Sequence, residues 1–187
     1  MAAVSRVILL RGVNVGGNNL VPMTKLRAFL ETAGFTDVRT WLQTGNAVAR
    51  GGRGDDAGIE RRLERDAEHY LGVRVDFYVR SGRELQAIVD QNPFARAAKE
   101  DPGRMIVYFL KERVDPSKLR ALRAAIKGPE TVDCVDRHLY AVYPDGMGRS
   151  KLSSSIVERV LAGRGTARNW NTILKLTALA SNIEPVG

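Results

Sequence analysis

The sequence is poor in the residues on which many catalytic and metal sites depend. Its 187 residues include two histidines, His69 and His138, and a single cysteine, Cys134. One cysteine excludes an internal disulfide framework and a cysteine-based metal cage. No Ser/His/Asp arrangement, metal-ligating motif or paired-carboxylate cluster stands out either. We therefore predict no metal and no cofactor, and the sequence leaves open whether the protein is an enzyme.

Long apolar runs are absent as well. None reaches the roughly 18 residues that a membrane span needs. The apolar run Val4–Leu10 is followed at once by Arg11, which argues against a signal peptide. Hydrophobic residues make up 44% of the chain and charged residues 27%, which is ordinary for a globular protein. We predict no membrane association and, from the single cysteine, a cytoplasmic location.

Basic residues are in excess. The formal net charge is +8, and the stretch 146–180 contributes strongly to it. Its acidic residue is Glu158, and its basic residues are Arg149, Lys151, Arg159, Arg164, Arg168 and Lys175. Such a bias favours phosphorylated ligands, nucleic acid or acidic partners through long-range attraction. An arginine-rich proteome would produce the same bias without any specific function.

Hydrophobic periodicity predicts the order βαββαβ in the first half of the chain. Val4–Leu10 is a near-continuous apolar run typical of a central strand, and a helix follows. Val38–Leu42 and Ala47–Arg50 are predicted as the next two strands. A second amphipathic helix ends at Gly72, and the alternating residues Val73–Val79 form the fourth predicted strand.

The second half repeats this order of elements. Ser81–Glu84 has the pattern of a capping box, Met105–Leu110 that of a buried strand, and Asp115-Pro116 that of a helix start. Trp170–Ala180 is predicted as an additional final helix. We therefore predict an α+β fold of two tandem ferredoxin-like βαββαβ subdomains with an extra C-terminal helix. Their predicted bounds are 1–92 and 93–187, within one compact unit.

A glycine- and asparagine-rich loop, Arg11–Asn19, follows the first strand. Its glycines permit positive φ angles and a close approach of backbone N–H groups to an anion, and Arg11 adds a positive charge. The loop lacks the Gly-Lys-Ser/Thr of a P-loop and the glycine spacing of the dinucleotide-binding motif. A purely structural Ω-type loop is the alternative, and it fits the sequence at least as well.

Further polar segments are candidates for the same site. Gln43–Asn46 has the chemistry of a hairpin turn. Arg149–Leu152 precedes a helix and offers Ser and Lys side chains, which suit an anion or an ordinary helix cap. Thr166–Leu176 contains Arg168, which could bind a phosphate or carboxylate through two parallel hydrogen bonds. Trp170 in that segment could stack on a ring or simply fill the core.

In this order, the segments resemble the signature of a known family. The family catalogued as domain of unknown function 1697 has segments similar to Leu10–Gly17, Gln43–Asn46, Ser150–Leu152 and Thr166–Leu176, over nearly the whole chain. Its members often have Ile in place of Val13 and Ser in place of Thr44. The resemblance implies an α+β fold with two ferredoxin-like subdomains and no particular activity. It also suggests that the four segments belong together around one cleft.

These features lead us to predict that the protein binds a phosphorylated small molecule or another anion in a cleft between its halves. The predicted anion-binding residues are Arg11, Gly12, Asn14, Gly16, Gly17, Asn46, Ser150, Lys151, Arg168, Asn169, Trp170, Asn171 and Thr172. One alternative is a nucleic-acid-binding protein without sequence preference, acting through Arg149, Lys151, Arg164, Arg168 and Lys175. Another is a transferase or hydrolase whose Lys, Arg and backbone donors stabilise developing negative charge. The oligomeric state is not predicted.

Overall fold

The computed structural model describes residues 4–17 and 19–183, which form a mixed α+β fold. These ranges contain two four-stranded antiparallel sheets and seven α-helices. The chain divides into two compact units. The first comprises the described residues up to Gln86 and from Lys175 onward, and the second comprises Ala87–Leu174. The sequence predicts a domain boundary between residues 92 and 93. This boundary stays a prediction, because the compactness of a unit does not show that the unit folds on its own.

The first sheet and its helices occupy the first ninety residues. The elements in chain order are β1 (Ser5–Leu10), α1 (Met23–Thr32), β2 (Phe35–Thr40), β3 (Asn46–Gly51), α2 (Asp56–Leu71), β4 (Phe77–Ser81) and α3 (Gly82–Asp90). Helix α2 begins where the Asp55 side chain accepts the Gly58 N–H at 3.0 Å. It ends at Gly72, which has φ 78° and therefore closes the helix as a left-handed cap.

The second sheet follows the same order of strands and helices. Its elements are α4 (Ala95–Glu100), β5 (Met105–Leu110), α5 (Pro116–Ala125), β6 (Thr131–Val135), β7 (His138–Val142), α6 (Ser154–Leu161), β8 (Gly165–Asn169) and α7 (Trp170–Ser181). Helix α5 begins as its sequence predicts. Asp115 accepts the Ser117 N–H at 2.7 Å, and Pro116 occupies the first turn, where its missing N–H costs nothing.

Both sheets have the same strand order. The first runs β2-β3-β1-β4 and the second β6-β7-β5-β8, with all neighbours antiparallel. The register also corresponds, since Leu10 pairs with Phe77 at the end of β1 and Leu110 pairs with Gly165 at the end of β5. Residues of β4 and β8 can therefore be compared position by position.

One face of each sheet packs against helices, as the period-two pattern of the strands requires. In the first unit this face includes Ile8, Leu10 and Val79, which form a core cluster with Leu26 of α1 and Leu63 of α2. In the second unit the corresponding cluster is built from Ile106, Tyr108, Leu122, Leu139 and Val157. None of the described helices combines the length and apolar character that a membrane span requires.

Helix side chains satisfy backbone donors on an outer strand of each sheet. Glu60 and Glu64 of α2 accept the N–H groups of Val79 and Phe77 at 2.7 and 2.9 Å. In the second unit, Glu158 of α6 accepts the N–H of Gly165 at 3.1 Å. Unpaired donors on an edge strand invite pairing with another chain, so these carboxylates protect the sheet edges.

The sequence-predicted strand bounds need correction at two places. The fourth strand begins at Phe77 rather than Val73, because its pairing with β1 ends at Leu10, the partner of Phe77. The second strand spans Phe35–Thr40 rather than Val38–Leu42. Its register shifts between Thr36 and Arg39, and this irregularity hides the alternation of apolar residues.

Candidate functional site

The glycine- and asparagine-rich loop and the hairpin turn meet in the first unit. The Asn14 side-chain amide donates to the backbone oxygens of Gln43 at 2.6 Å and Val21 at 2.9 Å, and its oxygen accepts the Val21 N–H at 2.8 Å. The Asn14 N–H donates to the Asn19 oxygen at 3.2 Å. Two of the four segments predicted to share a site therefore lie together, joined by Asn14.

The backbone of the loop has the positive φ angles that its glycines permit. Gly12, Gly16 and Gly17 have φ of 65°, 59° and 80°, and Asn14 has φ 54°. The three glycines are exposed, and a Cβ atom on any of them would meet no other atom within 4 Å. Their role is thus conformational, and they leave open space around the backbone of the loop.

Gly45 in the hairpin turn has a different role. Its φ is 72°, and a Cβ atom there would lie 2.6 Å from Val13 Cγ2 and 2.8 Å from Leu10 Cβ. The next residue, Asn46, is fully buried, and its amide donates to Trp41 O and Thr44 Oγ1, both at 3.0 Å. Both residues therefore fix the conformation of the turn, Gly45 by its small size and Asn46 by its buried hydrogen bonds.

Two cations belong to the same unit. Arg11 is half-buried, and its backbone N–H donates to the oxygen of Asp76 at 3.0 Å, which fixes the start of the loop at the end of β1. Lys175 of α7 places its Nζ atom 4.9 Å from the centre of the Trp41 ring. This cation–π contact holds an ammonium group beside the hairpin turn.

The segment Ser150–Leu152 is held by the half-buried Glu130 and the buried Tyr143 of the second unit. The Ser150 hydroxyl is hydrogen-bonded to the Glu130 carboxylate and accepts the Leu152 N–H at 2.9 Å. The Tyr143 hydroxyl donates to the Leu152 oxygen at 3.2 Å and lies 2.8 Å from the Tyr108 hydroxyl. Lys151 is exposed. The Glu130 carboxylate makes the surroundings of Ser150 less favourable for an anion.

Arg168 lies inside the second unit. It is 9% exposed, and its Nη1 atom donates to Thr166 Oγ1 at 2.7 Å and to Ala167 O at 2.8 Å. Burial lowers the pKa of Arg168 to about 10, which leaves the guanidinium charged at neutral pH. The corresponding residue of β4 is Arg80, whose Nη1 donates to Val79 O at 2.7 Å. The repetition of this contact gives Arg168 a structural role in β8.

The residues after Arg168 begin helix α7. The Asn169 side chain accepts the Asn171 N–H at 3.0 Å, as a helix cap, and donates to Gly103 O at 3.0 Å. Trp170 is 5% exposed and fills the core, in keeping with the second of its two sequence interpretations. Asn171 is exposed and Thr172 is half-buried. The assignment of Ser150, Lys151 and residues 168–172 to an anion site stays a prediction.

A cavity of about 180 Å³ in the second unit was not anticipated from the sequence motifs. It is lined by Leu110–Val114, Lys118 and Leu161–Arg164. The available signal was the run Lys111-Glu112-Arg113 directly after the apolar strand β5, since charged residues at a strand end often face a ligand. Among the described residues, no group of His, Cys, Asp and Glu is arranged to hold a metal ion.

The fold and these loops define an α+β protein with a glycine-rich loop after the first strand of one sheet and a charged segment, Lys111–Arg113, after the first strand of the other. The model of the family described as "Protein of unknown function (DUF1697)" matches residues 4–140, and the chain belongs to that family. The family that the sequence suggests is thereby confirmed, over a range that leaves out Ser150–Leu152 and Thr166–Leu176, whose resemblance stays a prediction.

A solved structure shares the fold. The conserved bacterial protein SP0830 from Streptococcus pneumoniae is similar with a TM-score of 0.73 at 22% sequence identity. The alignment covers 96% of this chain and 99% of the pneumococcal one. No curated protein matches the sequence.

Proposed function

We propose that the protein binds a small phosphorylated or otherwise anionic ligand at the loop of residues 11–17 in the first unit. The observation that carries the proposal is the position of Asn14, whose side chain fixes this loop against Gln43 and Val21. A loop held by its own side chain needs little further ordering when a ligand binds, and such preorganisation favours affinity.

The chemistry of the loop suits an anion. Gly16 and Gly17 are adjacent, exposed and at positive φ, so their backbone N–H groups are accessible to a ligand. Successive N–H groups in such conformations form concave anion-binding sites in proteins. Arg11 at one end of the loop and Lys175 beside the hairpin turn supply positive charge in the same unit.

The residues predicted in the second unit have a lesser part in this proposal. Ser150 is bonded to a carboxylate, and Arg168 is bonded within its own strand. Lys151 and Asn171 are exposed, and their assignment to an anion site stays a prediction. The proposed ligand site is therefore centred on Arg11–Gly17.

We also propose that each unit is a ferredoxin-like subdomain in the cytoplasm. The order βαββαβ and the strand order β2-β3-β1-β4, repeated as β6-β7-β5-β8, support the first part. The single cysteine, Cys134, supports the second, since a reducing compartment needs no disulfide. Ferredoxin-like folds serve many functions, so the ligand proposal does not depend on this classification.

The test is a calorimetric titration of the full chain with pyrophosphate and with nucleoside and sugar phosphates. In Arg11→Ala we expect the affinity for a binding probe to fall about tenfold or more, because a hydrogen bond to a charged group contributes about 1.5–3 kcal/mol. Arg27→Ala is the matched control. Arg27 lies on α1 of the same unit, is exposed and pairs with Glu31, so its loss changes the net charge equally but leaves the loop intact.

Equal affinities of the wild type and Arg11→Ala would overturn the proposal, provided that circular dichroism shows both to be folded. Salt dependence separates this function from nucleic-acid binding. A single phosphate held in the loop should lose little affinity between 50 and 200 mM salt. Binding of an oligonucleotide through many phosphates should fall by orders of magnitude, about 10³–10⁵ for six to ten contacts.

A further inference from the structure

Three large apolar side chains lie in the glycine-rich loop, just after it, and in the hairpin turn, and the binding of an anion makes no use of them. Val15, Leu20 and Leu42 are 61%, 68% and 53% exposed. Single exposed apolar residues are common on protein surfaces, whereas a group of them often marks a binding surface. We call these three residues the apolar rim.

Hydrogen bonds of Asn14 hold together the stretches of chain that carry the apolar rim. The Asn14 side-chain amide donates to Gln43 O at 2.6 Å and to Val21 O at 2.9 Å, and its oxygen accepts the Val21 N–H at 2.8 Å. Each residue of the apolar rim is the immediate chain neighbour of Asn14, of Gln43 or of Val21. The three exposed side chains therefore belong to one small area of the surface of the first unit.

The backbone conformation of Leu42 is unfavourable for a leucine. Its φ is 58°, in the left-handed region that Gly, Asn and Asp adopt more readily than other residues. The other described non-glycine residues with positive φ are Asn, Asp and Ala. Bonds on both sides fix this turn: the Trp41 N–H donates to Asn46 O at 2.9 Å, and Gln43 O accepts the bond from Asn14. An asparagine at position 42 would meet the same requirement with less strain.

Packing in the folded protein gives little reason for the leucine. With more than half of its surface exposed, Leu42 gains little free energy from burial. Residues held in unfavourable backbone conformations cluster at ligand-binding sites. Contact between the Leu42 side chain and the apolar part of a ligand would supply the missing reason.

The apolar rim adjoins the proposed anion site, since Val15 directly precedes the exposed Gly16 and Gly17. We propose that the ligand of this loop is a phosphate monoester with an aliphatic body. The phosphate lies against the N–H groups of Gly16 and Gly17, and the aliphatic body lies against the apolar rim. This inference rests on the proposed function and adds the chemical class of the ligand to it. The ligand is a soluble ester rather than a membrane surface, because two adjacent backbone N–H groups match one phosphate group.

The test compares hexyl phosphate with methyl phosphate, each titrated into the full chain by calorimetry. We expect hexyl phosphate to bind at one site, about tenfold or more tightly than methyl phosphate. A fully buried methylene group contributes about fourfold in affinity, and an exposed rim buries the hexyl chain only in part. Hexanol, which lacks the phosphate, should show no measurable binding.

Leu42→Asn separates a role in binding from a role in the fold. The affinity for hexyl phosphate should fall about fivefold or more, whereas that for methyl phosphate should change less than about twofold. The Tm should stay the same or rise, because asparagine adopts the left-handed conformation more readily than leucine. Leu20→Asn should weaken hexyl phosphate binding in the same way, and it carries the test if Leu42→Asn does not fold. Val4→Asn is the matched control: Val4 is exposed and lies at the opposite end of β1 from the loop, so both affinities should be unchanged.

Each other result decides against the inference. Equal affinities for hexyl and methyl phosphate would overturn it and leave the proposed function standing. Binding of neither ester would also overturn it, and the pyrophosphate titration of Arg11→Ala then decides separately on the proposed function. Unchanged hexyl phosphate affinity in both Leu42→Asn and Leu20→Asn would show that the apolar rim makes no contact with the ligand. Co-sedimentation with phosphatidic acid vesicles, without binding of hexyl phosphate, would assign the apolar rim to a membrane surface instead.

Discussion

Glu60 and Val79 are joined by a hydrogen bond of 2.7 Å between the carboxylate oxygen of the helix residue and the backbone N–H of the strand residue. The same carboxylate oxygen lies 3.3 Å from Nη1 of Arg80, and both side chains are buried. Glu60 thus satisfies a donor on the outer strand of the first sheet and, together with Glu84 at 3.3 Å from Arg80 Nε, neutralises a buried guanidinium group.

Glu60→Ala should strongly destabilise the first unit. The variant leaves the Val79 N–H without this acceptor and takes one of two carboxylates from the buried Arg80 guanidinium, which still pairs with Glu84 at 3.3 Å. Leaving a buried group unsatisfied costs about 1–3 kcal/mol, and more where the group is charged. Glu60→Gln should cost less, because the amide oxygen can still accept the Val79 N–H. Urea denaturation measures both losses, and hydrogen exchange at the Val79 amide shows whether the loss is local. A loss below about 1 kcal/mol in Glu60→Ala would contradict the structural role of this pair.

Gly45 and Gly12 give a matched pair of alanine substitutions. Both have positive φ, 72° and 65°. In both variants the alanine would have to adopt a left-handed backbone conformation, which destabilises the folded state by about 1–2 kcal/mol. Gly45→Ala should lose considerably more, because its Cβ atom would lie 2.6 Å from Val13 Cγ2, whereas at Gly12 there is open space. Thermal unfolding of the two variants compares them, and equal losses would show that the turn can move away from β1.

Tyr143→Phe should lower the free energy of unfolding of the second unit. The variant loses the contact with the Tyr108 hydroxyl and the bond to Leu152 O, and leaving such buried groups unsatisfied costs about 1–3 kcal/mol. Burial raises the pKa of Tyr143, so its phenol should stay protonated while the protein is folded. Absorbance at 295 nm during an alkaline titration checks this. Tyr140→Phe, which loses one bond to Ile88 O, is the control.

Cys134 should react slowly with alkylating reagents at neutral pH. Burial, followed by the charges of Asp133 and Asp136, raises its pKa from 9.0 to about 11. The thiolate is the reactive form, so the iodoacetamide rate should keep rising up to about pH 11, whereas that of glutathione levels off earlier. A rate at pH 8 equal to that of glutathione would contradict the raised pKa.

The same pKa shift has a consequence for stability. The folded protein keeps a proton that the unfolded chain releases above about pH 9, so the stability linked to this thiol is complete below that pH. It is lost as the pH rises through about 11. Cys134→Ala should therefore show a shallower fall of stability over this range than the wild type does.

The fold could be predicted largely from local patterns. Asp115-Pro116, Gly72 and the apolar run of β1 are signals that act within a few residues, and each marks its element as predicted. The start of β4 could not be found in this way. It depends on where the neighbouring strand ends, at Leu10, and that is a property of strand pairing.

The candidate site was less accessible to prediction. The sequence shows that Arg168 is charged, but its strand neighbours decide where the side chain lies. It pairs with Val107 and bonds to Thr166, on a buried face of the strand. The cavity beside Leu110 was missed because its wall joins two stretches about fifty residues apart. Local motif patterns carry no information about contacts between stretches so far apart in the sequence.

The first unit draws residues from both ends of the chain, with Lys175 placed over Trp41 and Arg50 bonded to the backbone oxygen of Ile183. On the ribosome, its sheet is synthesised early, but its last helical segment emerges after the whole second unit. The second unit, by contrast, is continuous. The first unit is therefore complete only after the second unit and the residues from Lys175 onward have been synthesised, and nascent-chain chaperones have that interval to engage its sheet.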